Sequence, residues 1–308
     1  MPGPRQLVSP PTFADRNYGL LSVVQPRYDE PESKWRNGVT WSDLCGSGGV
    51  TYDPSCLPSG TGNTPATKAD NIDFEHFGAQ PFTVFGEVDC SPVGYSVDEQ
   101  RTRAVDAMTR TEAYQVERAF WTGAAGGDSG IVLPHLAANA TVEDSATQVV
   151  TITLQCAATE VTGVALDAVE GLGRLEAAAS ACYQGQLTLH VPTVLGERLM
   201  ERGLIKPDGG QLKTVATNNL VALGAGYPGT SPAGATPTNA VWVYATGPVF
   251  AYRSAPETFR FQEMLDRDTN LVKSIVERTY VLGYSCCCLY AVAISVGGDV
   301  TGQPQSAF

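Results

Sequence analysis

One long stretch without glycine or proline, residues 96–121, constrains the fold of this chain more than any other segment. Ser96, followed three residues later by Glu99, forms a capping box, in which the two side chains satisfy backbone amides at the start of a helix. Glu99 and Arg103 stand four residues apart with the acid first, the favourable order for an ion pair on a helix. The pattern predicts a single helix over 96–121, roughly 35–40 Å long.

The apolar residues of this predicted helix form only a narrow stripe, made by Val105, Met108, Val116 and Phe120. Most of the helix circumference is therefore polar. A long rod with so little apolar surface suits a position across a sheet or a neighbouring subunit. Periodicity alone leaves an ordinary surface helix of a globular domain equally open.

Composition indicates a large core and few surface charges. The chain has 308 residues, enough for one large domain or two of ordinary size, and only 17% of them are charged. So low a charge content fits a protein that covers part of its surface in an assembly. A net charge of −12 without a basic patch argues against a protein that grips nucleic acid, although an acidic protein can still enclose it.

The eight cysteines are spread along the chain without a CxxC pair or a zinc-type Cys/His spacing. Residues 1–20 lack the apolar segment of a secretory signal. We therefore expect reduced, mostly buried thiols in a cytosolic protein, with packing as the role of the run 286–288. The cysteines are Cys45, Cys56, Cys90, Cys156, Cys182, Cys286, Cys287 and Cys288.

The order of the segments predicts an α+β fold. Residues 1–44 are typical of an extended arm, which needs the body of the protein or a neighbour to lie on. The polar, glycine-rich stretch 45–79 predicts a long loop, and a strand interrupted at Gly86 follows over 82–88. No repeating βαβ unit and no glycine-rich phosphate loop is visible in the sequence.

Beyond the long helix, the pattern predicts two further helices and several strands. The helices are 165–182 and 192–203, and the strands are 148–155, 187–191 and 241–253, the last being a pair or one strand bent at Gly247-Pro248. The uncharged run 280–296 is short for a membrane helix. Bulky and small residues alternate along it, which predicts one long strand.

No catalytic site stands out from the sequence. Gly127–Gly130 resembles the nucleophile segment of trypsin-like proteases, whose serine, here Ser129, needs a histidine and an acid beside it. Ile131 replaces the glycine expected next, and the sequence around His76 is unlike that of the catalytic histidine. A flexible turn is the better interpretation of the motif.

The three histidines, His76, His135 and His190, are not spaced for metal binding. We interpret His190, at the end of a predicted strand, as a core or edge histidine with satisfied hydrogen bonds. The sequence predicts no catalytic, cofactor-binding or metal-binding residue, no cofactor and no enzymatic activity.

The segments and their order resemble the major capsid proteins of tailed phages, which have the Hong Kong 97-type fold that encapsulin shells share. The resemblance covers nearly the whole chain and is carried by AYQVERAFWTG, LTLHVPTVLGERLMERGLI, NNLVALGAGYPG, VWVYATGPVFAYRS and YVLGYSCCCLYAVAISV. Residues 188–253 are most similar to capsid proteins of phages of actinobacteria.

The resemblance implies a division of the chain into the parts of a capsid subunit. These parts are an N-terminal arm (1–44), an extended β-hairpin loop (45–79), a peripheral domain with the spine helix 96–121 (80–159), an axial domain (160–253) and a return to the peripheral domain with a closing long strand (254–308). The loop 224–239 would face the centre of the capsomer.

The resemblance also implies partners and a location. The subunit would assemble with itself, as hexamers and pentamers, into an icosahedral virion shell that encloses double-stranded DNA without sequence-specific contact. Separate scaffolding, portal and decoration proteins are candidate partners, no membrane is involved, and assembly would take place in the bacterial cytoplasm. An encapsulin compartment, a tail or other virion component, and a hydrolase that uses Ser129 are the alternatives.

Covalent crosslinking between subunits occurs in part of the family and would join a lysine of the loop to an asparagine of a neighbour. Lys68 is the only lysine in residues 45–79, and Asn270 is the candidate partner, but no spacing supports the pair. A ladder of masses on a denaturing gel would reveal such crosslinks, and monomer alone would exclude them.

Overall fold

In a computed structural model of the chain, eight segments are described: residues 17–27, 34–44, 74–90, 96–124, 131–144, 151–232, 239–266 and 271–297. The helices are α1 (Leu20–Val24), α2 (Val97–Thr122), α3 (Ala168–Cys182) and α4 (Thr193–Glu201), with 3-10 turns at Lys34–Asn37 and Cys286–Cys288. The strands are β1 (Val39–Leu44), β2 (Phe74–Ala79), β3 (Pro81–Cys90), β4 (Val142–Asp144), β5 (Ile152–Gln155), β6 (Thr159–Glu160), β7 (Thr188–Pro192), β8 (Ile205–Asp208), β9 (Gln211–Thr214), β10 (Leu220–Gly224), β11 (Ala240–Thr246), β12 (Val249–Arg253), β13 (Glu257–Asp266), β14 (Leu271–Tyr284) and β15 (Tyr290–Ser295). The α+β class predicted from the sequence is confirmed.

The strands form three sheets. The small sheet has the order β1-β2-β5-β4, and the large sheet has the order β6-β15-β11-β7-β10-β9-β8. In the third, which we call the long-strand sheet, β14 pairs with β3 and also with β12 and β13. Only the β7–β10, β6–β15 and β2–β5 pairings among the described strands are parallel, so most neighbours are antiparallel.

Helix α2 confirms the predicted long helix. The Ser96 Oγ accepts a hydrogen bond from the Glu99 amide at 3.2 Å, and the Glu99 carboxylate accepts one from the Ser96 amide at 2.7 Å. This capping box starts the helix where the sequence predicts it. The helix ends at Gly123, whose φ of 72° is the left-handed conformation that glycine adopts without a steric penalty.

Gly86 lets α2 lie directly on the long-strand sheet. A Cβ atom at Gly86 would stand 2.6 Å from the Met108 nitrogen and 2.9 Å from the Ala104 carbonyl oxygen. Strand β3 runs through this position without a break, so the predicted interruption at Gly86 is wrong. The sequence showed a missing side chain, and the structure shows that the helix backbone fills its place.

Helices α3 and α4 pack on the large sheet. Their apolar faces share one buried cluster with the sheet, formed by Leu172, Leu175, Leu189, Leu195, Leu199, Val221, Val243, Val292 and Ile294, among others. Asp167 caps α3 by accepting the Val169 amide at 2.8 Å, so this helix begins slightly later than its predicted start at residue 165.

The single strand predicted over 280–296 is wrong. Residues up to Tyr284 belong to β14 of the long-strand sheet, and residues from Tyr290 belong to β15 of the large sheet, with the Cys286–Cys288 turn between them. Alternation of bulky and small residues shows which face each residue occupies, but it carries no information on whether both halves pair in the same sheet. The chain likewise changes sheets between β11 and β12, so 241–253 is two strands.

Aromatic residues fill the region where the C-terminal half of α2 meets the strands. Phe120, Trp121, Tyr244, Tyr280 and Tyr284 are all fully buried in one cluster. The polar ends of two of these rings are satisfied, since the Trp121 indole nitrogen donates to the Thr230 hydroxyl at 3.0 Å and the Tyr244 hydroxyl donates to the Thr230 carbonyl at 3.0 Å. Within the described segments, no helix is both long and apolar enough to cross a membrane.

Candidate functional site at the crossing between the sheets

The residues weighed as catalytic candidates lie in separate elements. His76 is on β2, opposite Ser42 of β1, His190 is on β7, and His135 follows the cis peptide bond between Leu133 and Pro134. Gly127–Gly130, and with it Ser129, lies outside the described residues. Among the residues that are described, no three His, Cys, Asp or Glu side chains are grouped so as to hold a metal ion.

His190 is a neutral core histidine. Its Nδ1 lies 3.3 Å from the Tyr227 hydroxyl and its Nε2 lies 3.1 Å from the Thr246 hydroxyl, while the Phe120 ring packs at 5.4 Å between centroids. Burial lowers the pKa of His190 to about 3 because the charged form would lose its hydration. The interpretation of this residue as a satisfied core histidine is confirmed.

His135 joins its loop to β5 and β14. Its ring donates from Nδ1 to the Val132 carbonyl at 2.9 Å, and its backbone amide donates to the Gln155 side chain at 2.7 Å. The His135 carbonyl accepts the Tyr284 hydroxyl at 2.9 Å. Burial lowers the pKa of His135 as well. All these contacts hold backbone segments together, and none of them activates a nucleophile.

The cysteines correct the expectation of reduced thiols. Cys156 is bonded to Cys286 and Cys182 is bonded to Cys288, with Cα separations of 5.8 and 5.7 Å. The partners are 130 and 106 residues apart in the sequence, so no local spacing could reveal them. The change of sheet after Tyr284 brings the cysteine run beside the end of β5 and the end of α3.

The turn that follows Tyr284 is also fastened to β1. The Ser285 hydroxyl donates to the Asp43 carboxylate, and the Trp41 indole nitrogen donates to the Ser285 hydroxyl at 3.4 Å. A glycine is needed at position 283, because a Cβ there would lie 2.4 Å from the Phe250 ring and 2.9 Å from the Trp41 ring. Residues 283–288, which we call the crossing, are therefore held by hydrogen bonds, ring packing and disulfides at once.

Two buried glutamates of α2 hold other parts of the chain to the helix. Glu117 accepts the Leu20 amide of α1 at 3.2 Å and the Gly226 amide at 2.9 Å, and it is only 2% exposed. Glu112 pairs with Arg278 of β14 and also accepts the Tyr280 hydroxyl. Burial, together with the Glu112 charge, raises the pKa of Tyr280, so its hydroxyl stays protonated and donates.

Comparisons with known proteins give matches of structure only. No family model and no curated protein sequence matches the chain. The capsid of a native GTA particle matches with a TM-score of 0.53 at 9% identity, over 95% of each chain. A structure from Microbacterium phage Oxtober96 matches with a TM-score of 0.51 at 10% identity, also over 95% of each chain. The chain has the Hong Kong 97-type capsid fold. The resemblance seen in the sequence is thereby confirmed at the level of the fold.

The capsid fold is shared by shells of another kind. The SrpI encapsulin of Synechococcus elongatus matches with a TM-score of 0.50 at 9% identity, over 95% of this chain and 96% of its own. At such low identities, a shared fold does not by itself assign the contents of a shell.

The capsid fold also explains why sequence reasoning missed the buried polar contacts of α2. Glu112 and Glu117 resemble the solvated charges of an ordinary surface helix, and only the packing of α2 against β14, α1 and residue 226 buries them. The one available signal was their position, since Glu112 stands within the apolar stripe, four residues from both Met108 and Val116, and Glu117 stands beside it.

Proposed function

We propose that this chain is the major capsid protein of a tailed phage, a structural subunit that assembles as hexamers and pentamers into an icosahedral shell around double-stranded DNA. The observation that carries the proposal is the match to the GTA capsid, which extends over 95% of both chains and leaves no large part unaccounted for. The net charge of −12 supports it, because an acidic wall lets DNA pack with its counterions without adhering.

The elements suggest how the subunit would be divided. We assign α2 and the long-strand sheet to the peripheral domain, and α3, α4 and the large sheet to the axial domain. This changes the division predicted from the sequence at two strands, since β15 joins the axial domain and β12 joins the peripheral domain. Residues 224–239 would then face the capsomer centre. Within the predicted arm 1–44 and hairpin loop 45–79, residues 17–27, 34–44 and 74–79 pack on the body of the same subunit, which corrects the expectation of a wholly extended arm and loop. The remaining residues of the two segments lie outside the described residues, and they would reach neighbouring subunits.

The buried contacts support a structural role over a catalytic one. His190, His135, Glu112 and Glu117 are all used to join segments, and a shell subunit needs such rigidity at the points where its domains meet. Scaffolding, portal and decoration proteins would be separate chains, and assembly would take place in the host cytoplasm.

Electron microscopy of the particles, combined with a nuclease-protection assay, tests the proposal. We expect closed icosahedral shells that contain nuclease-resistant DNA. Closed shells with a protein cargo and no DNA would instead establish the encapsulin alternative, which the SrpI match supports. Failure to form shells when the chain is produced in its natural host together with the other particle proteins would overturn both.

A further inference from the structure

The crossing carries two disulfides that link distant parts of the chain. The run Cys286–Cys288 stands between the long-strand sheet and the large sheet, where the chain passes from β14 to β15. Cys286 is bonded to Cys156, just after β5 of the small sheet, and Cys288 is bonded to Cys182, the last residue of α3. The two bonds therefore tie the crossing to the small sheet on one side and to the helical layer of the large sheet on the other.

Non-covalent contacts already hold the crossing in place. Ser285 is hydrogen-bonded to Asp43 and Trp41, Leu289 is buried, and the Leu289 carbonyl accepts the Thr159 amide at 3.0 Å. These contacts flank the cysteine run on both sides and do not involve the disulfides. We therefore expect the crossing to keep its place when the cysteines are reduced.

Each disulfide joins one buried cysteine to one that is only half-buried. Cys156 and Cys288 are buried, at 9% and 6% exposure, whereas their partners Cys286 and Cys182 are only half-buried. A thiol–disulfide exchange reagent can therefore reach one member of each pair. A disulfide sealed in the core on both sides would not respond to the surroundings in this way.

We propose that the two cysteine pairs form a redox-timed staple, which is open as thiols while the subunit folds and assembles and closes as two disulfides after the particle leaves the reducing cytoplasm. Only the timing rests on the proposed phage function. The thiolate of the half-buried cysteine attacks a low-molecular-weight disulfide such as oxidised glutathione and releases one thiol. The buried partner then attacks the mixed disulfide and releases the second thiol, so each pair loses two electrons and two protons to one molecule of oxidant.

The closed staple should resist unfolding more strongly than the open one. Each bond closes a loop of more than a hundred residues, and such a crosslink lowers the entropy of the unfolded chain. We expect reduction to lower the thermal unfolding midpoint of the protein by at least about 5 °C. The shells themselves should keep their shape on reduction, because the crossing keeps its hydrogen bonds and ring contacts.

Peptide mapping tests the staple and its timing. Free thiols are blocked with N-ethylmaleimide in intact infected cells and, separately, in purified released particles, and digests are analysed by mass spectrometry. We expect blocked cysteines in the cells and the linked pairs Cys156–Cys286 and Cys182–Cys288 in the particles. Linked pairs already present in the cells would overturn the timing, and free thiols in particles exposed to oxidised glutathione would overturn the staple.

Variants distinguish the staple from simple packing of cysteines. Cys156→Ala, Cys286→Ala and the double variant all remove the same bond. A staple therefore predicts that the fall of the unfolding midpoint on adding reductant becomes smaller by the same amount in all three. If the two single substitutions instead lower the unfolding midpoint additively, and still do so in reductant, the cysteines act by packing alone and the proposal is overturned. DNA-filled shells without linked peptides would leave the proposed function standing, and linked peptides in a chain that forms no shells would leave the staple standing.

Discussion

Arg278 donates from one nitrogen, Nη1, to both carboxylate oxygens of Glu112, at 2.7 and 2.8 Å, in a pair whose side chains are only 12% and 7% exposed. The pair joins the middle of α2 to β14, the central strand of the long-strand sheet. Because the Tyr280 hydroxyl donates to the same carboxylate, Glu112 is the acceptor for two groups of the sheet. The long helix is therefore fixed to the sheet by charge as well as by apolar packing.

Replacing this glutamate should destabilise the fold strongly. Glu112→Gln leaves the Arg278 charge buried without its counter-ion, and breaking a buried pair in this way costs about 3–5 kcal/mol. Equilibrium unfolding in urea measures the change. The matched control is Glu87→Gln, which breaks an ion pair between Glu87 and Lys273 on the same sheet whose side chains are 45% and 34% exposed. The control should leave the unfolding midpoint nearly unchanged, and an equal loss in both variants would contradict the prediction.

Gly86 should not tolerate even one methyl group. In Gly86→Ala the new Cβ would meet backbone atoms of Met108 and Ala104, which cannot rotate away as a side chain could. We expect a loss of about 1–3 kcal/mol as α2 is pushed from the sheet. Gly173→Ala provides the opposite case, because Gly173 is an exposed residue of α3 with nothing within 4 Å of its Cβ position.

The control substitution should stabilise the protein by up to about 1 kcal/mol, since alanine favours a helix more than glycine does. Thermal unfolding of the two variants beside the parent protein measures both effects. Destabilisation by both substitutions, or by neither, would show that the contact between α2 and β3 is less tight than the structure has it.

The free energy of unfolding should decrease as the pH is lowered below neutrality, because burial lowers the pKa of two histidines. The unfolded chain takes up a proton on His190 near pH 6.5, whereas the folded protein does so only near its lowered pKa of about 3. Between these values the unfolded state binds more protons, so the free energy of unfolding falls as the pH falls, by up to about 1.4 kcal/mol per pH unit for each such group. His135, whose pKa is also lowered, acts in the same direction.

The measurement is the urea midpoint from pH 7 to pH 4. His190→Gln keeps a neutral polar side chain in the core but has no titrating ring, so its slope with pH should be shallower than that of the parent, whatever its absolute stability. An unchanged slope would mean that His190 is not the group responsible.

Local signals in the sequence were sufficient for the main helices but not for all of the strands or for their long-range partners. The capping box of Ser96 and Glu99 fixes the start of α2 within a single turn, and the sequence shows it directly. The pairing of Cys286 with Cys156 depends instead on β14 and β15 belonging to different sheets, which is a property of the whole topology. The alternation of bulky and small residues across 280–296 lapses at Cys287–Leu289, at the change of sheet, and this short lapse is the only local mark of the turn.

The candidate site shows the same limit. Glu112, Glu117 and Ser285 are ordinary polar residues in the sequence, and they gain their roles only when strands and loops from distant parts of the chain cover them. The prediction that the chain carries no catalytic or metal-binding residue stays a prediction.

Glu117 provides the test of how the N-terminal part of the chain is held. Its carboxylate accepts the Leu20 amide with one oxygen and the Gly226 amide with the other, so Glu117→Gln replaces one acceptor by an amide group that cannot accept. One backbone N–H is then left buried without a partner, and either α1 or the segment at Gly226 should separate from α2.

Hydrogen exchange followed by mass spectrometry should show faster exchange in peptides covering 19–24 or 224–229, while the first turns of α2 keep their protection. Asp106→Asn, which removes a charge from an exposed position of the same helix, should leave exchange in both peptides unchanged. Equal exchange in Glu117→Gln and in the parent protein would mean that α1 is held without Glu117, by the packing of Leu20 and Val23 and by the backbone hydrogen bonds on either side of the helix.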